Sequence, residues 1–171
     1  MQDRMIFCPY CGSRLTSKKN EGRTRLYCKT GKRYVYQNPI PAATGLIFDE
    51  NGKILLVLRA RNPGKNRWCL PGGFVETDEP PIKAAKREVF EETSIIASKP
   101  TLIDIEFQES IFYKTSIMII GYHFAEYSGK LIAGDDAESA GFFAQDDLPK
   151  LAFTSHMKLI EKFIRAKTDS S

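Results

Sequence analysis

The chain has 171 residues, 42% of them hydrophobic, enough for one proper core with a small appendage. No apolar run approaches the ~18 residues of a membrane span, and the opening MQDRMIFCPYC lacks the apolar stretch of a secretory signal. The expectation is a soluble, cytoplasmic protein. A formal net charge of +4 helps attract phosphate-bearing substrates but is too small to argue for nucleic acid by itself.

Residues 1–37 differ from the rest of the chain, with three of the four cysteines, much of the basic charge and few aliphatic residues. Cysteines in a chain without a signal peptide favour metal or reduced thiols over disulfides. Cys8-Pro-Tyr-Cys11-Gly12 reads as a zinc knuckle. Structural zinc takes four ligands in a tetrahedron, so a ribbon needs a second pair. Here Cys28 is followed three residues later by Gly31 instead of Cys. The basic residues Lys18, Lys19, Arg23, Arg25, Lys29, Lys32 and Arg33 read as solvated surface in preference to a phosphate contact. Asn38-Pro39-Ile40-Pro41 is an extended linker, because a residue before Pro is pushed away from helix.

From Ala42 a second unit begins. Thr44–Phe48 and Ile54–Leu58 read as strands joined by Asp49-Glu50-Asn51-Gly52, whose Asn-Gly signals a hairpin. Arg59 and Arg61, ending the second strand, either reach a substrate phosphate or lie on the surface. The loop at residues 62–66 leads into Trp68-Cys69-Leu70-Pro71-Gly72-Gly73, with Cys69 a packed core thiol. Pro80 and Pro81 suit the first turn of a helix, capped by Thr77 or Asp78, with Asp78 and Glu79 favoured by the helix dipole. Ile82, Ala85 and Val89 form its apolar stripe. Glu88, Glu91 and Glu92 crowd one face beside that stripe, at a spacing where each like-charge pair costs a few tenths of a kcal/mol. A hard divalent cation turns such repulsion into coordination; the competing reading is a solvated acidic face.

Leu102–Phe107 and Lys114–Phe124 read as strands, and Tyr127-Ser128-Gly129-Lys130 as a further hairpin turn. His123 is a structural histidine in an apolar strand. Residues 134–139 form an acidic, flexible loop, Phe142-Phe143 begins a short strand, and Thr154 or Ser155 caps a last helix that buries Leu159, Ile160, Phe163 and Ile164.

Gly73, five residues, Glu79, seven residues, then Arg87-Glu88-Val89-Phe90-Glu91-Glu92 closely resembles the Nudix box, G-x5-E-x7-R-E-U-x-E-E-x-G-U with U aliphatic. Ile95 supplies the last aliphatic position. Ser94 stands where the family has Gly, at a helix end that favours a left-handed residue. Trp68 to Gly73 looks like the family's lead-in, and residues 1–37 resemble the zinc ribbon that precedes some Nudix domains, with Gly31 at the fourth ligand position. Asp3, water or a partner's group would complete a Cys8, Cys11, Cys28 zinc site; the alternative is a metal-free ribbon held by packing.

The resemblance implies an α/β fold, the Nudix α/β/α sandwich with a mixed sheet (38–171) behind a small β zinc-ribbon-like domain (1–37). It implies Mg²⁺ (or Mn²⁺) held by Glu88, Glu91 and Glu92 with the Gly73 carbonyl, and Arg87 paired with a box glutamate such as Glu79. Phosphoanhydride cleavage needs charge neutralised on phosphate oxygens and a water aimed in line. One box glutamate, or an acid from the 134–139 loop (Glu138 first, Asp136 next), would orient that water. The implied substrate is a small-molecule nucleotide, a nucleoside diphosphate linked to a group X: ADP-ribose, FAD or a related compound. NADH is disfavoured because the signature that accompanies the box in dedicated NADH pyrophosphatases is missing. A homodimer is expected from the family, and specific nucleic-acid binding is not. The rival readings are a catalytically silent nucleotide sensor and an RNA-end hydrolase.

Overall fold

The computed structural model describes residues 5–169. Asp3, a candidate for the fourth zinc position, lies outside them. β1 (Thr16–Asn20), β2 (Arg23–Cys28) and β3 (Arg33–Val35) form an antiparallel sheet in that order. One face of it packs Leu26 and Val35 over Cys8 and Cys28, a core too small to hold more than this unit together.

The larger part contains β4 (Ile40–Ile47), β5 (Ile54–Arg59), β6 (Trp68–Cys69), β7 (Gly72–Phe74), α1 (Pro81–Thr93), β8 (Ile96–Ser110), β9 (Thr115–Ser128), β10 (Ala137–Phe143) and α2 (Thr154–Thr168). A mixed sheet runs β7-β4-β9-β8, with β4 and β9 parallel and the other pairs antiparallel; a second sheet runs β10-β5-β6. Alternation along β4 sends Ala43 and Ile47 toward Ala84, Ala85 and Val89 of α1, and Leu46 toward Ile160 of α2. The helices therefore cover opposite faces, which is the expected α/β/α sandwich. Close approach is secured by two glycines: a Cβ on Gly45 would lie 2.6 Å from Val89, and one on Gly121 2.6 Å from Leu159.

Several local expectations are corrected. Ile40 and Pro41, read as linker, already belong to β4 and pair with Ile117 and Met118. The Asp49–Lys53 turn forms, with the Asn51 and Lys53 amides donating to the Asp49 carboxylate, but its flanking strands share only a bridge between Phe48 and Ile54 and enter different sheets. The long hairpin lies instead between β8 and β9, around residues 111–114; the chain after Ser128 makes no hairpin and crosses toward β10. Residues 137–139, read as loop, are strand, so Phe142 and Phe143 end β10 and do not begin it. Neither helix has the side-chain cap expected of it. Pro80 precedes α1, leaving Thr77, Asp78 and Glu79 outside, and Phe153 precedes α2. Proline at the helix start removes an unpaired N–H outright and so replaces the cap at α1.

Ser94 ends α1 with φ 59° and ψ 13°, its N–H donating to Phe90 O at 2.7 Å. The left-handed conformation expected at this position is thus adopted with a Cβ present, at a cost that glycine does not bear. Ser94→Gly is expected to raise stability by about 1 kcal/mol, read as a higher urea midpoint at unchanged slope. An unaltered midpoint would show that the serine is not strained.

Candidate active site

The lead-in to α1 is fixed first. Pro71 O accepts from the Gly45 amide (2.9 Å) and from the Thr44 hydroxyl (2.7 Å), which pins the Gly72-Gly73 turn against β4. Gly72 adopts φ 155°, and a Cβ there would lie 2.5 Å from Ala43 O. A Cβ on Gly73 would sit 2.4 Å from the Glu88 carboxyl carbon and oxygen, so only a bare backbone lets that carboxylate lie here.

Glu92 is 3% exposed and accepts a 2.9 Å hydrogen bond from the Gly72 amide. Burial drives its pKa up to about 8; the Gly72 amide opposes this, and the charges of Asp136 and Glu88 add to it. Burial likewise raises Glu88, against the pull of Arg87. Arg87 is the hub. Its Nη2 donates to Glu79 Oε1 (2.6 Å) and Phe74 O (3.1 Å), its Nε to Glu79 Oε2 (3.2 Å), and its Nη1 to Glu88 Oε1 (2.6 Å) and Glu91 Oε2 (3.0 Å). The expected Arg87–Glu79 pair is therefore present, and it ties the segment before α1 to the helix. The guanidinium in turn holds Glu79 below the usual carboxylate range, chiefly by hydrogen bonding.

Of these groups, Gly72, Gly73 and Glu88 line a cavity of about 520 Å³ together with Asp136, Arg59 and Arg61, whereas Glu92 lies buried against Gly72. Both arginines proposed for substrate contact thus reach it. Arg59 is oriented by donation from Nε to Pro63 O (2.7 Å) and lies 5.3 Å from the Phe153 ring centre. The 134–139 acids separate: Asp136 lines the cavity, whereas Glu138 is exposed on β10 and does not. Gly134 N–H donates to Glu92 O (3.1 Å) and Ala60 N–H to Asp136 O (2.9 Å), strapping this segment between the end of α1 and the end of β5. Glu91 is the outlying box carboxylate, half exposed and turned to Arg87.

Sequence reasoning passed over His156, Tyr113 and Phe153, all of which line the cavity. His156 carried a usable signal: it precedes Leu159 and Ile160 by three and four residues, on the face of α2 already marked as buried. Its Nδ1 accepts from the Leu70 amide at 3.1 Å, and burial lowers its pKa to about 3, so the ring is neutral. His123, in keeping with a structural role, stacks on Phe163 with ring centres 4.1 Å apart. Cys69 is buried, its thiol pushed up to about 12 by desolvation.

The donor set of the cavity suits a hard divalent cation. Carboxylate oxygens of Glu88 and Glu92 and backbone carbonyls of the Gly72-Gly73 turn are the ligands such ions prefer. Glu92 is buried beside like charges, opposed by the Gly72 N–H and the more distant charge of Arg59, and a cation would add to that compensation. A softer donor set lies apart, in the N-terminal sheet. The Sγ atoms of Cys8, Cys11 and Cys28 all lie within 4.8 Å of one another, a clustering that the α1 carboxylates do not reach among the described residues. At the fourth position Gly31 offers its amide, which donates to Cys28 Sγ at 3.2 Å. Hydrogen bonding with Ser13 brings the Cys11 thiol down to about 7.

Comparison with known proteins agrees with this geometry. The family model of the NUDIX domain matches residues 38–163. A protein of Methanocaldococcus jannaschii described as ADP-ribose pyrophosphatase is 39% identical over 137 residues, 80% of each chain. The crystal structure of a MutT NUDIX hydrolase from Burkholderia pseudomallei superposes with a TM-score of 0.68 at 29% identity, over 74% of this chain and 98% of that one. A NUDIX hydrolase from Nitrosomonas europaea, 23% identical, shares the fold over 96% of this chain and 93% of its own, with a TM-score of 0.72, so the likeness extends into the N-terminal sheet. The chain belongs to the Nudix family. It is a hydrolase acting on phosphoanhydride bonds.

The neutral His156 makes a testable contribution to stability. Below its ordinary pKa of about 6.5 the unfolded chain binds a proton that the buried ring refuses, so the native state loses about 1.4 kcal/mol per pH unit from this residue until pH approaches 3. Urea denaturation at pH 7 and pH 5 should show wild type losing more stability on acidification than His156→Gln. Equal losses would mean that the ring is protonated in place.

Proposed function

We propose that this protein is a Mg²⁺-dependent pyrophosphohydrolase of ADP-ribose and related nucleoside diphosphate derivatives, releasing a nucleoside monophosphate and a phosphorylated X. The observation that carries this reading is a cavity lined by Glu88, the bare Gly72-Gly73 backbone, Arg59 and Arg61, with the buried Glu92 held to the Gly72 amide. The archaeal relative named for ADP-ribose hydrolysis supports the substrate class.

Glu88, Glu92 and the Gly73 carbonyl would hold Mg²⁺ (or Mn²⁺), with Glu91 contributing once its carboxylate leaves Arg87. When bound, the ion acts as Lewis acid toward the phosphate oxygens and activates water. Arg59 and Arg61 neutralise the diphosphate at the cavity wall and orient it. Arg87 keeps Glu88 charged and aimed, although burial favours the neutral acid. Asp136 replaces Glu138 as the acid proposed to orient the attacking water, since it lines the cavity and Glu138 does not.

The N-terminal unit is proposed to divide from the Nudix domain at residues 37/38, and three thiolates at its core suit zinc with a non-protein fourth ligand. Elemental analysis is expected to find about one zinc per chain, lost in Cys11→Ser. The exposed Ile105, Phe107, Ile111 and Phe112 of β8 and its turn are the proposed contact of a homodimer.

Hydrolysis of a panel containing ADP-ribose, FAD, NADH and nucleoside triphosphates, with products identified by mass, tests the assignment. ADP-ribose is expected to be the preferred substrate, with turnover abolished by EDTA and restored by Mg²⁺. Glu92→Gln, which keeps a polar group of the same shape, should lower turnover at least ~100-fold with the fold intact by circular dichroism. Tight binding of one panel member without turnover would favour the sensor reading.

A further inference from the structure

The charge of this chain is unevenly divided. Residues 1–37 hold nine Lys and Arg against two Asp and Glu, a formal +7, whereas residues 38–171 hold sixteen against nineteen, a formal −3. The mild overall charge therefore conceals a strongly basic N-terminal unit, whose acidic residues within the described segment reduce to Glu21.

Strand register arranges this charge among aromatic rings. Thr16 lies opposite Tyr27 and Tyr27 opposite Tyr34, and Lys18 lies opposite Arg25, so these side chains share one face of the β1-β2-β3 sheet. The other face is occupied by Leu26, Cys28 and Val35. On the first face Lys18 Nζ stands 4.5 Å from the Tyr27 ring centre and 5.8 Å from that of Tyr34, and the two rings meet edge to face at 5.1 Å. Arg25 stacks 4.9 Å from the ring centre of Tyr36, which is 54% exposed. Its Nε is shielded from solvent and has no hydrogen-bond partner among the described residues. The residue as a whole is only partly buried, and charge-assisted hydrogen bonds from a guanidinium to phosphate are among the strong ones. A cavity of about 400 Å³ next to Arg25 and Tyr36 opens toward the opposite face, where Ser17, Thr24, Leu26 and Val35 line it, and is not part of this surface.

We propose that this face of the N-terminal sheet binds single-stranded nucleic acid without sequence preference, its tyrosine rings stacking bases and Lys18 and Arg25 contacting phosphates. Cations interleaved with aromatic rings on an open sheet are what a strand with unpaired bases needs, since every base has a π-face and every linkage a negative charge. A duplex hides its bases, so it meets the charges but not the rings. An acidic peptide likewise satisfies the cations and leaves the rings unused. The proposal concerns a surface outside the Nudix cavity and does not depend on which nucleotide that cavity hydrolyses.

The test uses the full chain and fluorescence anisotropy with labelled twelve-nucleotide oligouridine and oligothymidine, against a twelve-base-pair duplex. Single strands are expected to bind at least tenfold more tightly than the duplex, with log affinity falling by about 0.7 per phosphate contact for each tenfold rise in salt. Lys18→Glu, an exposed position, and Tyr36→Ala should each weaken single-strand binding about tenfold or more while ADP-ribose hydrolysis stays at the wild-type rate. Tyr36→Phe, which keeps the ring, should retain binding. Equal affinity for duplex and single strand would overturn the proposal, as would an unchanged affinity in Lys18→Glu or equal losses in Tyr36→Phe and Tyr36→Ala.

Discussion

Four carboxylates lie within reach of one guanidinium or of one another around α1, and that concentration of negative charge is the constraint the Nudix domain is built to meet. Arg87 answers part of it, taking Glu79, Glu88 and Glu91 as partners, and also grips the backbone at Phe74. Because Glu79 lies before the helix and Phe74 on β7, one side chain couples charge neutralisation to the path of the chain into α1. Glu92 is excluded from this network. It is answered by the Gly72 amide and, at longer range, by the charge of Arg59, and the burial that raises its pKa is also what makes it responsive to an added cation. The acidic face of the helix is thus held by Arg87, while Glu92, at the glycine turn, lies outside that network.

The supporting structure reflects the same need for closeness. Bare backbone at Gly73 lets Glu88 approach, and bare backbone at Gly45 lets α1 settle on β4. On the other face α2 brings His156 in neutral form to the Leu70 amide, immediately before the Pro71 carbonyl that anchors the turn. Two helices from opposite sides of the sheet thus converge on one short segment, residues 70–73, α1 with the carboxylates of Glu88 and Glu92 and α2 with a neutral ring.

What the sequence disclosed and what it withheld divide along physical lines. The spacing of Glu79, Arg87, Glu88 and Glu92 is meaningful within a few turns of chain, so the α1 site and its arginine were legible. The left-handed Ser94 was legible for the same reason. Strand partnership was not: Asn51-Gly52 forms its turn, but the partners of β4 are β7 and β9, chosen by packing among residues far away in sequence. Glu138 and Asp136 differ by two positions and have the same chemistry, yet residue 137 begins a strand, which turns Glu138 outward and leaves Asp136 at the cavity. A boundary misplaced by two or three residues thus separates two acids of the same chemistry, one lining the cavity and one exposed on the strand. The N-terminal basic residues were visible as a composition, but their interleaving with Tyr27, Tyr34 and Tyr36 depends on register across three strands.

The parallel pairing of β4 with β9, Ile40 beside Ile117, also fixes an order of events during synthesis. The ribosome releases the glycine turn and the whole of α1 before any of β9 has emerged. Until then β4 lacks its central neighbour, and Gly121, the seat for Leu159, does not yet exist in the chain. The acidic helix must therefore wait, tethered to β7 through Arg87 and Glu92, while contacts of high sequence separation are completed. Nascent chains of this protein hold every box residue before they hold a site.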